Sequence, residues 1–158
     1  MQEGARPAQA DDLPAIGELA DAVIAELSPM RGGAIWRRHV ARDQPAGHSL
    51  SAALNASDYL VLAGTFDEVV VGYAVVALAT LRDGGRLGLI EDLYVDPRAR
   101  GVGIGEAMMD QVLEWCREHH CIGVDALALP GHRDTKNFFE SFGLVARAIV
   151  VHRSLEHP

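Results

Sequence analysis

Between Asp96 and Gln111 the chain reads DPRARGVGIGEAMMDQ, with Gly101, Gly103 and Gly105 alternating just behind Arg98 and Arg100. Glycine at a helix start costs conformational entropy, so three of them in five positions imply that the backbone there must be bare. A dinucleotide fold needs G-x-G-x-x-G with an acidic residue about 20 positions on. The spacing here is G-x-G-x-G, which fits that motif poorly. A phosphate loop of the G-x-x-x-x-G-K-[ST] type needs a lysine, and none stands nearby. A third reading fits better. Successive N–H groups of a bare loop can turn toward one anion, and a helix N-terminus adds unpaired donors and positive partial charge. Arg98 or Arg100 can then add a charge-assisted contact. This is the chemistry of holding a pyrophosphate. The plainer alternative is a tight strand-to-helix turn, for which one glycine would suffice.

The bulk properties narrow the function classes. The chain has 158 residues, 49% of them hydrophobic and 23% charged, as in an ordinary globular protein built as one domain over residues 1–158. The formal net charge of −8 argues against nucleic acid as a main partner, because phosphate backbones want a basic patch. The longest apolar run, Val69 to Leu81, is too short to span a bilayer as a helix and is rich in β-branched residues, so no membrane role is expected. No basic segment followed by an apolar one opens the sequence, so a cytoplasmic location is expected. The cluster CREHHC, Cys116 to Cys121, matches no zinc spacing, and no metal is expected.

These residues need elements to position them. Residues 11–27 carry apolar side chains at helical spacing, with Asp11 or Asp12 available as a cap. Residues 34–44 and 47–56 form a second, less regular helical region. The texture then changes to strands: Tyr59 to Phe66, a turn at Asp67 and Glu68, Val69 to Leu81, and Arg86 to Val95. A helix follows the glycines from about Gly103 to His120, with Ile104, Met108, Val112, Trp115 and Cys116 along one stripe. Ile122 to Leu129 is a strand, Asp134 to Phe142 a short helix ending at Gly143, and Leu144 to Leu155 a last strand. The strands flanking the long helix are expected to be parallel. The fold class is therefore α/β, a mixed central sheet with flanking helices. In the strand LIEDLYV, alternation puts Leu89, Glu91, Leu93 and Val95 on one face and Ile90, Asp92 and Tyr94 on the other. A carboxylate at Glu91 among apolar neighbours is costly without a partner and needs a reason.

Arg100-x-x-Gly103-x-Gly105 fits the pattern (R/Q)-x-x-G-x-(G/A), and the chain resembles the GNAT superfamily of acyl-CoA-dependent N-acyltransferases. IEDLYVDPRARGVGIG, Ile90 to Gly105, looks like that family's strand-and-loop motif, and the element order agrees over essentially the whole chain.

The resemblance implies an N-acetyltransferase with a GNAT-like fold that uses acetyl-CoA or another acyl-CoA. The cofactor's pyrophosphate is expected on Arg100, Gly101, Val102, Gly103, Ile104, Gly105 and Glu106, and its pantetheine arm along the backbone of Leu93, Tyr94 and Val95, as an added strand would lie. A backbone N–H near Leu93 would serve the thioester carbonyl. In similar proteins a glutamate at the position of Glu91 is the general base for the incoming amine, with Asp92, His48 and His132 as alternatives here. The family often closes on N-x-x-A-x-x-[FL]-Y-E-x-x-G-F, whose tyrosine protonates the departing thiolate. Here the register set by Glu140 and Gly143 puts Phe139 at that tyrosine, so water, Tyr94 or Ser141 must supply the proton. A weakly active or inactive acyl-CoA-binding sensor or regulatory module is the alternative function. The acceptor is a small-molecule or protein amine, and a homodimer through the last strands, common in similar proteins, is a further partner to expect.

Overall fold

The computed structural model describes residues 2–156. In chain order it contains β1 (Glu3–Pro7), a 3-10 turn (Ala10–Asp12), α1 (Leu13–Leu27), α2 (Gly33–His39), α3 (Gly47–Leu54), β2 (Tyr59–Phe66), β3 (Val69–Thr80), β4 (Arg86–Val95), a second 3-10 turn (Pro97–Ala99), α4 (Ile104–Glu118), β5 (Cys121–Ala126) and α5 (Arg133–Ser141). The five strands make one sheet in the order β1-β2-β3-β4-β5. The first four are antiparallel to their neighbours, and β5 runs parallel to β4, as a connection through α4 requires. The fold is the expected mixed α/β sheet with helices on both faces.

Each face has its own core. On one, Ile16, Leu19 and Ala20 of α1 and Leu50 and Ala53 of α3 pack on Val61, Tyr73, Val75 and Tyr94. On the other, Ile104, Met108, Met109, Val112 and Cys116 of α4 and Phe139 of α5 pack on Leu62, Ala74, Val76 and Ile90. The predicted stripe of α4 is the buried one, except that Trp115 is only partly buried and Met109 joins the core. Cys116 is 2% exposed, and burial, with Cys121 beside it, pushes its thiol up to about 12. Among the described residues no helix is long and apolar enough to cross a membrane, and no group of His, Cys, Asp and Glu is arranged to hold a metal ion.

One strand is added and three expectations are corrected. β1 has no counterpart in the sequence reading, because EGARP lacks alternation and contains both Gly4 and Pro7; its ladder with β2 makes it a strand. Asp12 does not cap α1 with its side chain. It accepts the Gln9 backbone N–H (2.8 Å) and two Arg6 guanidinium N–H bonds (2.7 and 2.9 Å), and the Arg6 bonds hold its carboxyl below the usual range. The strand predicted over Leu144 to Leu155 pairs with no strand among the described residues. Its side chains stand in solvent, Ile149 at 85% and Val151 at 89% exposure, with Arg147 on Asp125 and Glu156 on Arg38 as side-chain ties to the rest. The alternation in β4 also fails. Val75 pairs with Asp92 and Val76 with Ile90, so Glu91 is an extra residue, a β-bulge. Beyond it Leu93 and Val95 join Ile90 on the α4 face, while Tyr94 packs on the α1 face. Glu91 therefore leaves the face on which simple alternation puts it.

Candidate active site

The site begins where two parallel strands part. The β4–β5 ladder runs from Arg86 opposite Cys121 to Ile90 opposite Ala126, and there β5 ends. β4 continues to Val95, still paired with β3 on its other side. Among the described residues no strand pairs with the β5-side edge of β4 from Glu91 to Val95. That edge opens into a groove of about 240 Å³, walled by Leu93, Tyr94 and Val95, by Ala99, Arg100, Gly101, Gly103, Ile104, Gly105 and Glu106, and across from them by His132, Asp134, Thr135, Phe138 and Phe139 of α5 and the residue before it.

The three glycines meet three requirements. Gly101 has φ 85° with open space around it, and Gly103, the residue before α4, has φ 95°. Both are in the left-handed region that disfavours a Cβ. Gly105 lies inside the first turn of α4, and a Cβ there would come within 3.2 Å of the Phe138 ring. The loop is braced from below. Asp96 caps the Pro97–Ala99 turn by accepting the Arg98 backbone N–H (2.9 Å) and pairs with the Arg98 guanidinium (2.9 Å). These hydrogen bonds hold its carboxyl down at about 2. Arg100 donates from Nε to the Val95 carbonyl (2.8 Å), pairs with Glu26 (3.3 Å) and lies 5.1 Å from the Tyr94 ring centroid. Burial first, and then the Glu26 charge, raise the Tyr94 hydroxyl. The first-turn N–H groups of α4 have no acceptor in their own helix and stand at the groove's edge.

The predicted residues divide. Leu93, Tyr94, Val95, Arg100, Gly101, Gly103, Ile104, Gly105 and Glu106 come together around the groove. Val102 is 43% exposed and does not line it. Nor does Glu91. Its Oε1 accepts Arg42 Nη2 (3.0 Å) and its Oε2 accepts the Tyr59 hydroxyl (3.3 Å). Its neighbour Asp92 accepts Arg42 Nε (3.0 Å) and Nη2 (2.9 Å) and the buried Tyr73 hydroxyl (2.6 Å). Burial works against the Arg42 charge, but Asp92 and Glu91 outweigh it and raise the guanidinium above its ordinary value. Burial, then Asp92, hold the Tyr73 hydroxyl well above its own. Phe139, 8% exposed, is both groove wall and core. Of the alternatives for proton transfer, His132 lines the groove with Nδ1 on the Thr135 hydroxyl (2.5 Å), His48 is exposed on α3, and Ser141 bonds the Phe138 carbonyl.

Sequence reasoning missed Arg42, Tyr59 and Tyr73. Arg42 lies on the α2–α3 connection, 49 positions before Glu91; the less regular helical region expected over residues 34–44 ends as a helix at His39, and no local signal marks Arg42.

A sequence model of the acetyltransferase (GNAT) family matches residues 28–144. Over 102 residues the chain is 33% identical to glucosamine 6-phosphate N-acetyltransferase 1 of Oryza sativa subsp. japonica, a match spanning 62% of this chain and 59% of that protein. The fold is similar to a protein of Bacillus halodurans, with TM-score 0.81 and 19% identity over 96% of this chain and 99% of that one. It is also similar to a predicted acetyltransferase of Clostridium acetobutylicum solved with acetyl-CoA, with TM-score 0.72 and 15% identity over 98% and 97% of the two chains.

Proposed function

The chain belongs to the acetyltransferase (GNAT) family, and on that premise we propose that it is an N-acetyltransferase moving an acetyl group from acetyl-CoA to a primary amine, residues 1–158 acting as one domain. The observation that carries this reading is the unpaired edge of β4, Glu91 to Val95, beside a bare glycine loop at the mouth of α4. The groove suits the donor on its own chemistry. Pantetheine has two amides, and Leu93, Tyr94 and Val95 offer an edge for them to pair with. The loop from Arg100 to Glu106 offers N–H donors and the α4 dipole for the pyrophosphate. With the Arg100 guanidinium already on Glu26 and Val95, the backbone carries that contact and Arg100 holds the loop.

Acetyl-CoA supplies an activated acyl thioester, so no acyl-enzyme is needed. The neutral amine attacks the carbonyl carbon, the N–C bond forms and the C–S bond breaks. CoA leaves as a thiolate that takes a proton from water, Tyr94 or Ser141. Glu91 takes a proton from the attacking amine; a lysine-like amine, with a pKa of about 10.4, arrives largely as ammonium. Its side chain is 35% exposed, against 12% for Asp92, whose oxygens are filled by Arg42 and Tyr73. Glu91 is therefore the better base of the two. A backbone N–H near Leu93 serves the carbonyl oxygen. The rice relative's name points to an amino-sugar phosphate acceptor, which makes glucosamine 6-phosphate the first small-molecule amine to try. The reading includes a cytoplasmic location. It also includes a homodimer, supported by the exposed apolar segment after Gly143, tied through Arg147 to Asp125 of β5, whose outer edge carries no strand partner among the described residues.

One observation favours a second reading. Phe139 presents no hydroxyl where the family's usual acid stands, as suits an acyl-CoA-binding module that turns over little or not at all. Thiol release from acetyl-CoA with glucosamine 6-phosphate, spermidine, neamine and a lysine peptide separates the two. An amine-dependent rate supports the transferase. Binding of acetyl-CoA without such a rate supports the module, and no binding of acetyl-CoA overturns both.

A further inference from the structure

Two carboxylates on successive residues of one strand ordinarily point to opposite faces. The bulge at Glu91 turns both Glu91 and Asp92 toward one guanidinium, that of Arg42. Arg42 comes from the connection between α2 and α3, outside the sheet. Its Nη2 bridges the pair, 3.0 Å from Glu91 Oε1 and 2.9 Å from Asp92 Oδ1, and its Nη1 reaches the Ser49 hydroxyl at 3.2 Å. The Arg42 side chain is 11% exposed, while that of Glu91 stays 35% exposed.

The Asp92 contact alone would complete a structural ion pair, since Asp92 takes two bonds from Arg42 and one from Tyr73. The bond to Glu91 is additional. With the Tyr59 hydroxyl on the other oxygen it fixes both ends of the Glu91 carboxylate, leaving its remaining lone pairs on a side chain 35% open to solvent. Adjacent carboxylates repel unless a cation lies between them, so the Glu91 rotamer depends on Arg42.

We propose that Arg42 is the positioning residue of this site, holding the Glu91 carboxylate in the orientation from which it takes the acceptor's proton. This rests on the acetyltransferase reading above. Arg42 acts through Glu91, and a group misplaced by about 1 Å can cost about 10²-fold in rate. The fork geometry matters as much as the charge, because only a planar guanidinium reaches both carboxylates and Ser49 together.

The test is a double-mutant cycle on the full-length protein. Arg42→Lys keeps the charge and removes the fork, and Tyr59→Phe removes the other contact to Glu91 while leaving the Arg42–Asp92 pair intact. Each is made alone and with Glu91→Gln, and thiol release from acetyl-CoA is followed with the fastest amine among glucosamine 6-phosphate, spermidine, neamine and a lysine peptide. Arg42→Lys is expected to lower kcat about 10- to 100-fold with the KM for acetyl-CoA within about twofold. Tyr59→Phe should lower kcat less. In the Glu91→Gln background both should be silent, because the group they orient is gone. Full kcat in Arg42→Lys, or an equal loss with and without Glu91, overturns the proposal. If Arg42→Lys does not fold, Tyr59→Phe decides by the same criterion. Wild-type turnover in Glu91→Gln overturns the base assignment and this proposal but leaves the transferase standing. No amine-dependent thiol release at all overturns the transferase reading and this proposal with it.

Discussion

A glycine scan of the loop tests the anion-holding argument at its root, because the three positions call for three different outcomes. Gly101→Ala puts a Cβ on a residue at φ 85° with nothing within 4 Å, so the effect is backbone strain alone. The left-handed region costs a non-glycine residue about 1–2 kcal/mol. At about 2–4 °C per kcal/mol for a chain of this size, Tm should fall by about 2–8 °C. Gly103→Ala carries similar strain at φ 95° and also meets the Glu3 side chain at 3.4 Å, on the residue whose carbonyl accepts the Ala107 N–H at the start of α4. Relieving that strain turns the first N–H groups of the helix. A hydrogen bond to a charged group is worth about 1.5–3 kcal/mol, so losing one lowers acetyl-CoA affinity about 10- to 150-fold. Gly105→Ala gains about 0.8–1 kcal/mol of helix propensity and sets it against a 3.2 Å approach to the movable Phe138 ring, so Tm should hardly change. Titration calorimetry with acetyl-CoA and thermal melts of the four proteins read both quantities. If Gly103→Ala melts lower yet binds acetyl-CoA as tightly as the wild type, the loop backbone does not hold the pyrophosphate and the reasoning is refuted.

Phe139→Tyr adds a hydroxyl to the groove wall with little change of volume, and kcat should rise by at least tenfold, toward the 10²–10⁴-fold typical of a general acid; an unchanged kcat would mean that thiolate protonation is not limiting. Asp96→Asn should lower Tm at pH 7. The folded carboxyl titrates at about 2 and the unfolded one at about 3.9, so the wild type's advantage is full above pH 4 and vanishes as the pH falls through 2, as melts in acidic buffers will check. Met108→Ala, at a fully buried α4 position, should cost about 2–5 kcal/mol in urea unfolding. Light scattering should find the wild type dimeric and Ile149→Lys with Val151→Lys monomeric; a monomeric wild type removes the homodimer from the reading.

Much of this architecture is visible in the sequence, because its elements obey simple periods. The stripe of α4 and the β2–β3 hairpin with its Asp67–Glu68 turn come through with bounds shifted by a residue or two. The groove residues follow, since the loop's composition and its place between strand and helix are local facts. What was hidden depends on partners far along the chain. β1 becomes a strand through β2, some sixty residues away, and not through its own pattern. Arg42 gains meaning only when the α2–α3 connection meets β4. The bulge was hidden for a different reason: the adjacent carboxylates of IEDLYV interrupt the apolar alternation, but only the pairing of Val75 with Asp92 and Val76 with Ile90 identifies Glu91 as an extra residue. The segment after Gly143 carries strand residues without a strand partner among the described residues, so its local pattern was a poor guide to its pairing.

The bulge in β4 has a consequence best put in terms of insertion and deletion. With Glu91 taken out, Ile90, Asp92, Leu93, Tyr94 and Val95 would succeed one another with faultless alternation, every apolar residue already on the face it now occupies. The sheet has no use for Glu91; a chain one residue shorter would pair β4 with β3 more regularly. If Glu91 is the base proposed above, a one-residue deletion there is the rare change that would tidy the scaffold while removing activity, and a search for stable but silent variants should begin by shortening β4 rather than by substituting within it.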